Sequence, residues 1–193
     1  MVLTHAHLDH CGYLPVLVRQ GFTGPVTCTP GTAALAAVVL RDAAHLQERE
    51  AEHAARGGYS KHHPPLPLFD SGDAEKAIAL FRPVEHGAWS RLPGGAGVRL
   101  RRAGHIMGSA FVELQLPDMR VLFSGDLGRP VHELLAPPER PDDADVVVVE
   151  STYGNRRHLG PATRLSRPRS GARPNAGESR CSPPSRSTAP RSC

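Results

Sequence analysis

The sequence predicts an α/β layered domain followed by a tail that does not fold. Three observations lead there. Helix-period apolar spacing marks stretches up to residue 81, strict alternation takes over from Val98, and beyond Gly160 large apolar side chains almost vanish.

Element by element, Met1-Val2-Leu3-Thr4 reads as the end of a buried strand whose beginning is absent, running straight into histidines. Residues 12–20 suit a short helix and Pro25–Cys28 a short strand. Thr32 is the expected N-cap of a long helix that ends near Arg56 and is closed by Gly57-Gly58. Leu35, Val38, Val39 and Leu46 recur in it at helical spacing and form the expected buried stripe. Residues 57–72, rich in Gly, Pro and His, make a loop, and Asp73 to Phe81 a further helix with Ala77, Ile78 and Phe81 inward. Val98 and Leu100 then alternate with Arg99 and Arg101, as Val112, Leu114 and Leu116 do with Phe111, Glu113 and Gln115. Pro117-Asp118 turns the chain into a strand over 120–124, and Val146–Val149 reads as a fully buried strand.

Composition excludes several classes. The 193 residues carry a net charge of +4, but residues 161–193 hold seven Arg against one acid, Glu178, a local +6. The remainder is therefore slightly acidic, and the basic balance does not mark a nucleic-acid surface on the folded part. Arg, Ser and Pro make up 20 of those last 33 residues, too little apolar surface to offset ordering entropy. The tail, from 159 to 193, is expected to be disordered. An Arg-rich RNA-binding arm is the alternative. Its abrupt onset points to a frameshifted or truncated reading frame. The longest apolar run, Ala33–Leu40, is eight residues, short of the ~20 that cross a membrane. No secretory signal opens the chain, and Cys11, Cys28, Cys181 and Cys193 form no disulfide framework, so a cytoplasmic setting is expected.

Thr4-His5-Ala6-His7-Leu8-Asp9-His10 carries the chemistry. His5 and His7, two apart past a strand end, project to one side, while Asp9 and His10 aim at a second point. Neutral imidazoles with a carboxylate suit a borderline cation such as Zn²⁺. Two later segments add donors. Ala103–Ala110 sets His105 in a glycine-flanked loop, and Phe123–Gly128 sets Asp126 at a strand end, where two carboxylate oxygens can bridge two cations. His45, His53, His62, His63, His86 and His132 lack such company, and Cys11 reads as a small buried residue under the metal loop.

These segments resemble the metallo-β-lactamase superfamily. Glu150-Ser151-Thr152-Tyr153-Gly154-Asn155-Arg156, after the valine strand, resembles the junction into the β-CASP cap of its RNA-processing branch. The resemblance covers residues 1–158 and implies an αββα layered sandwich, incomplete in this chain. It implies two zinc ions: His5, His7 and His105 on one, Asp9 and His10 on the other, Asp126 bridging. It further implies a metal-bound hydroxide attacking the phosphorus of RNA, with Asp9 orienting or deprotonating the water and Glu150 positioning groups near the phosphate. His158 is an accessory candidate. Strands before Val2, the cap domain and the histidine completing the second site are family pieces this chain does not carry, so nuclease activity is expected to be crippled. A thioester or lactam hydrolase and an inactive metal-binding fragment are the competing readings. The oligomeric state is open.

Overall fold

The computed structural model describes residues 1–152, 154 and 155. In chain order the elements are α1 (Leu8–Cys11), α2 (Leu14–Arg19), β1 (Val26–Cys28), α3 (Pro30–Gly57), α4 (Ser71–Ile78) and β2 (Phe81–Pro83). Five strands follow: β3 (Trp89–Arg91), β4 (Gly97–Arg102), β5 (Ala110–Gln115), β6 (Arg120–Phe123) and β7 (Val146–Val148). β1 and β2 pair in parallel, the crossover between them running through α3 and α4. The larger sheet has the order β3-β4-β5-β6-β7, antiparallel except for the parallel β6–β7 pair. The expected mixed α/β architecture is what the chain adopts.

Two cores hold the layers together. Leu3, Leu14, Val26, Leu40, Phe69 and Phe81 belong to the first, which lies between the helices and the small sheet. Val98, Leu100, Ala110 and Val112 form the second, against which Val2 and Val84 pack from the small-sheet side. The small sheet is thus held between the helices and the large sheet. On the other face of the large sheet, the extended segment 139–145 lies across β4 and β5. Glu139 N–H donates to the Arg102 carbonyl at 2.9 Å, and Asp142 N–H to Glu113 Oε1 at 3.0 Å. Beneath it Arg99 pairs with Glu113 and Asp142, and Arg101 Nε donates to Glu139 Oε2 at 2.6 Å. Glu113 is buried because two guanidinium groups replace the water it gives up. Covered on both sides, β5 has Phe111 and Val112 buried alike.

Four details differ from the sequence expectation. The N-cap of α3 is Thr29, whose side chain accepts the Thr32 N–H, and Pro30 starts the helix, where its missing N–H costs nothing. The buried stripe of α3 is Thr32, Ala36, Leu40, Ala43 and Ala44; Val38 and Leu46 are 61% and 57% exposed. Small residues let the helix lie close to its neighbours, so Ala positions face inward. The next helix begins earlier, capped by Asp70 in a reciprocal box with Asp73, and Phe81 opens β2 instead of closing the helix. Val146–Val149, expected to be fully buried, are each between 42% and 62% exposed. β7 is an edge strand of the large sheet, and its side chains stay about half exposed. No described helix is long and apolar enough to cross a membrane. His158 and residues 159–193 lie outside the described residues.

Candidate metal centre

Every donor comes from a chain segment leaving a strand or bridge. Val2 bridges to Thr27 beside β1, and the chain then turns out of the sheet into His5 and His7. His5 is fully buried, and its Nδ1 stands 3.1 Å from Thr4 Oγ1. A neutral ring that donates Nδ1–H to this hydroxyl keeps its Nε2 lone pair for a cation. His7 is the N-cap residue of α1, which carries Asp9 and His10 one turn further on.

The His105 loop leaves β4 and returns into β5. Ser109 Oγ accepts the His105 N–H at 2.9 Å and the Ile106 N–H at 3.2 Å, which closes the loop on itself. Asp126 sits just past β6. Gly125 has φ +52, and a Cβ there would come to 3.0 Å from the Thr4 Cβ, so a side chain would press on the strand that carries His5. Gly128 N–H donates to the Ala103 carbonyl at 2.8 Å, joining the Asp126 and His105 loops. Glu150 supports this corner from β7. Its Oε1 accepts the Leu127 N–H at 2.6 Å, and its own N–H donates to Ser124 Oγ at 2.9 Å.

The geometry that results is a ring of convergent donors. His5 Nε2 lies 3.1 Å from His7 Nδ1, and His105 Nε2 lies 3.2 Å from the same atom. Asp126 Oδ2 stands 3.6 Å from His5 Nε2 and 3.5 Å from His105 Nε2. These four donor atoms all lie within 4.8 Å of one another. A tetrahedral cation with bonds of about 2.0–2.1 Å sets neighbouring donors roughly 3.4 Å apart, and this set matches that spacing. The other Asp126 oxygen, Oδ1, is 3.4 Å from His10 Nε2, which in turn is 3.5 Å from Asp9 Oδ2. Asp126 thus faces two groups of donors with two different oxygens. His5, His7, His105 and Asp126 fit a divalent cation with four protein donors, and His10 and Asp9 stand beside the second Asp126 oxygen. Burial, and then the neighbouring His10, lower the His5 pKa to about 4, so at neutral pH the ring is in the uncharged form that binds metal.

Asp9, His10, His5, His7, His105 and Asp126 therefore meet at one place, and Glu150 stands behind Asp126 rather than among the donors. Cys11 is buried beneath the loop, with Sγ 3.6 Å from the Ala6 carbonyl. Thr4, Ser109 and Gly128 support the site and were not singled out from sequence. Their sequence signal is only adjacency to a donor or a loop glycine.

A family model described as the metallo-beta-lactamase superfamily matches residues 1–166. Ribonuclease TTHA0252 of Thermus thermophilus is 40% identical over 158 residues, covering 82% of this chain and 32% of the relative. Transcription termination factor FttA of Methanococcus maripaludis is 31% identical, covering 80% of this chain and 23% of the relative. An RNase J-like protein of Methanocaldococcus jannaschii is 27% identical, covering 84% and 33%. The chain spans about a third or less of the length of these curated relatives. The family match runs from Met1 through every described strand and all six donors, and this chain belongs to the metallo-β-lactamase superfamily.

Proposed function

We propose that residues 1–158 are the hydrolytic part of a zinc-dependent RNA phosphodiesterase of the β-CASP type. The observation that carries the reading is the donor ring, with one carboxylate of Asp126 turned to both donor groups. The relatives named as ribonucleases and as a termination factor support RNA as the substrate. Glu150, placed directly after β7, supports the β-CASP assignment.

Two zinc ions held here would activate a water and neutralise charge at the phosphate. The protein's own residues do the rest. Asp126 sets the distance between the donor groups. Asp9, with its side chain 78% exposed beside His10, is placed to take a proton from the attacking water. Glu150 holds Leu127 N–H, and through it the Asp126 corner, at a fixed position.

Zinc analysis after dialysis, run beside cleavage of labelled RNA, tests this. His5→Ala/His7→Ala should lose the more tightly held zinc, and His10→Ala should keep it. Equal zinc in wild type and the His5→Ala/His7→Ala variant would remove the assignment. Turnover of a thioester without any RNA cleavage would move the chain to another branch of the superfamily.

A further inference from the structure

The β1–α3 junction touches both halves of the donor ring, and we infer that Thr29 and Thr32 are positioning residues that hold His105 against the metal. The inference rests on the metal site proposed above. β1 first grips the strand that carries His5 and His7: Leu3 N–H donates to the Thr27 carbonyl, and Thr27 N–H to the Met1 carbonyl, each at 2.9 Å. Two residues later the same chain reaches the other loop. Thr29 Oγ1 donates to the Gly108 carbonyl at 2.6 Å, and Thr32 Oγ1 donates to the same oxygen at 2.8 Å. Both threonines are fully buried. A carbonyl has two lone pairs, so two hydroxyls saturate this one and fix its direction.

The backbone around this contact leaves no slack. Gly108 has φ +80, and a Cβ on it would collide with the backbone of Gly31 and Thr32. A Cβ on Gly31 would come to 2.9 Å from Gly108 Cα. From Gly108 the restraint reaches His105 in a single turn, because Ser109 Oγ accepts the His105 N–H and Ser109 N–H donates to the Ile106 carbonyl at 3.0 Å. Helix capping does not require any of this. Thr29 caps α3 by accepting the Thr32 N–H at 3.1 Å, which leaves both hydroxyl protons free to be used elsewhere. They are used on a loop 79 and 76 residues away, the loop of the third histidine.

Removing a partner that orients a ligand costs about 10- to 100-fold in metal affinity. Thr32→Val in the full chain deletes one donor at constant shape and keeps the Thr29 cap. Co²⁺ titration followed by visible absorption reads both affinity and coordination number. Wild type and Thr32→Ser should bind Co²⁺ with the intense bands of a four-coordinate site. Thr32→Val should bind about 10-fold more weakly, the low end for outer-shell partners because Thr32 acts through Gly108, with bands weakened towards those of His105→Ala and an unchanged far-ultraviolet circular dichroism spectrum. If valine disturbs the packing of α3, Thr32→Ala gives the same reading. Thr32→Val equal to wild type in affinity and spectrum would overturn the positioning role while leaving the site intact. Thr32→Ser as weak as Thr32→Val would overturn it too, because the hydroxyl would then not matter. A wild-type chain that binds no Co²⁺ would remove the site, and the positioning role with it.

Discussion

Gly128 has no side chain because none fits: a Cβ there would fall on the Gly104 carbonyl. That contact is where the loops of His105 and Asp126 touch, and its tightness brings the two donors to 3.5 Å. Gly128→Ala must push the loops apart. Overpacking of this kind costs on the order of 1–3 kcal/mol, so the variant should melt lower and bind zinc more weakly than wild type. Calorimetry with and without zinc checks both, and a variant with wild-type melting and affinity would show that the loops can slide. Residue identity made the donors themselves legible in sequence, since three histidines and an aspartate in six positions have few structural uses. Their supports were not legible. Thr4, Thr29 and Ser109 are small polar residues, and only the folded chain shows that each places its hydroxyl against a donor ring or the loop behind one.

At the scale of elements, α2 and α4 are joined by Asp73, which serves two purposes. It completes the capping box of α4 by accepting the Asp70 N–H at 3.3 Å, and it accepts Arg19 Nε at 2.7 Å. The Arg19 guanidinium holds the Asp73 carboxyl below the usual carboxylate range, although burial pushes the other way. A depressed folded pKa stabilises above the unfolded value, near 3.9, and that stability is lost as pH falls through the folded value. Asp73→Asn should therefore cost about 1–3 kcal/mol at pH 7, and the gap to wild type should narrow as pH falls below the unfolded value and vanish below the folded one. Urea unfolding from pH 7 down through the acid range measures it; a gap that does not narrow at all below about pH 4 would mean that charge is not the cause. Strands were the most legible elements: the alternation at Val98–Leu100 reappears as burial in β4, whereas β5, covered on both faces, buries Phe111 and Glu113 along with Val112. α3 was misread in its facing. Of the expected stripe, Leu35 and Val39 pack at the edge of the core, whereas Val38 and Leu46 face out, because close approach by neighbouring elements selects the Ala36–Leu40–Ala43 side. Valine composition likewise identified β7 as a strand but wrongly implied that both of its faces are covered, since β-propensity and burial both favour valine.

At the scale of the whole molecule, the metal-binding corner is assembled and the surface around it is open. His7, Asp9 and His10 are exposed, and among the described residues no wall rises over them to hold a nucleic acid. Cleaving a phosphodiester needs an activated water, and it also needs the scissile phosphate held in line and the leaving oxygen stabilised. Misplacement of the reacting atoms by about 1 Å alone can cost ~10²-fold. The matched residues make up 32% of ribonuclease TTHA0252 and 33% of the RNase J-like protein, so about two thirds of each relative lies outside the match. The 193-residue chain loaded with zinc should accordingly cleave single-stranded RNA at least ~10²-fold more slowly than full-length ribonuclease TTHA0252 under the same conditions. Whatever cleavage remains should disappear in Asp126→Ala, which removes the carboxylate shared by the two donor groups. A rate equal to that of the relative, abolished by Asp126→Ala, would show that these residues grip RNA unaided and that the open corner is a complete active site.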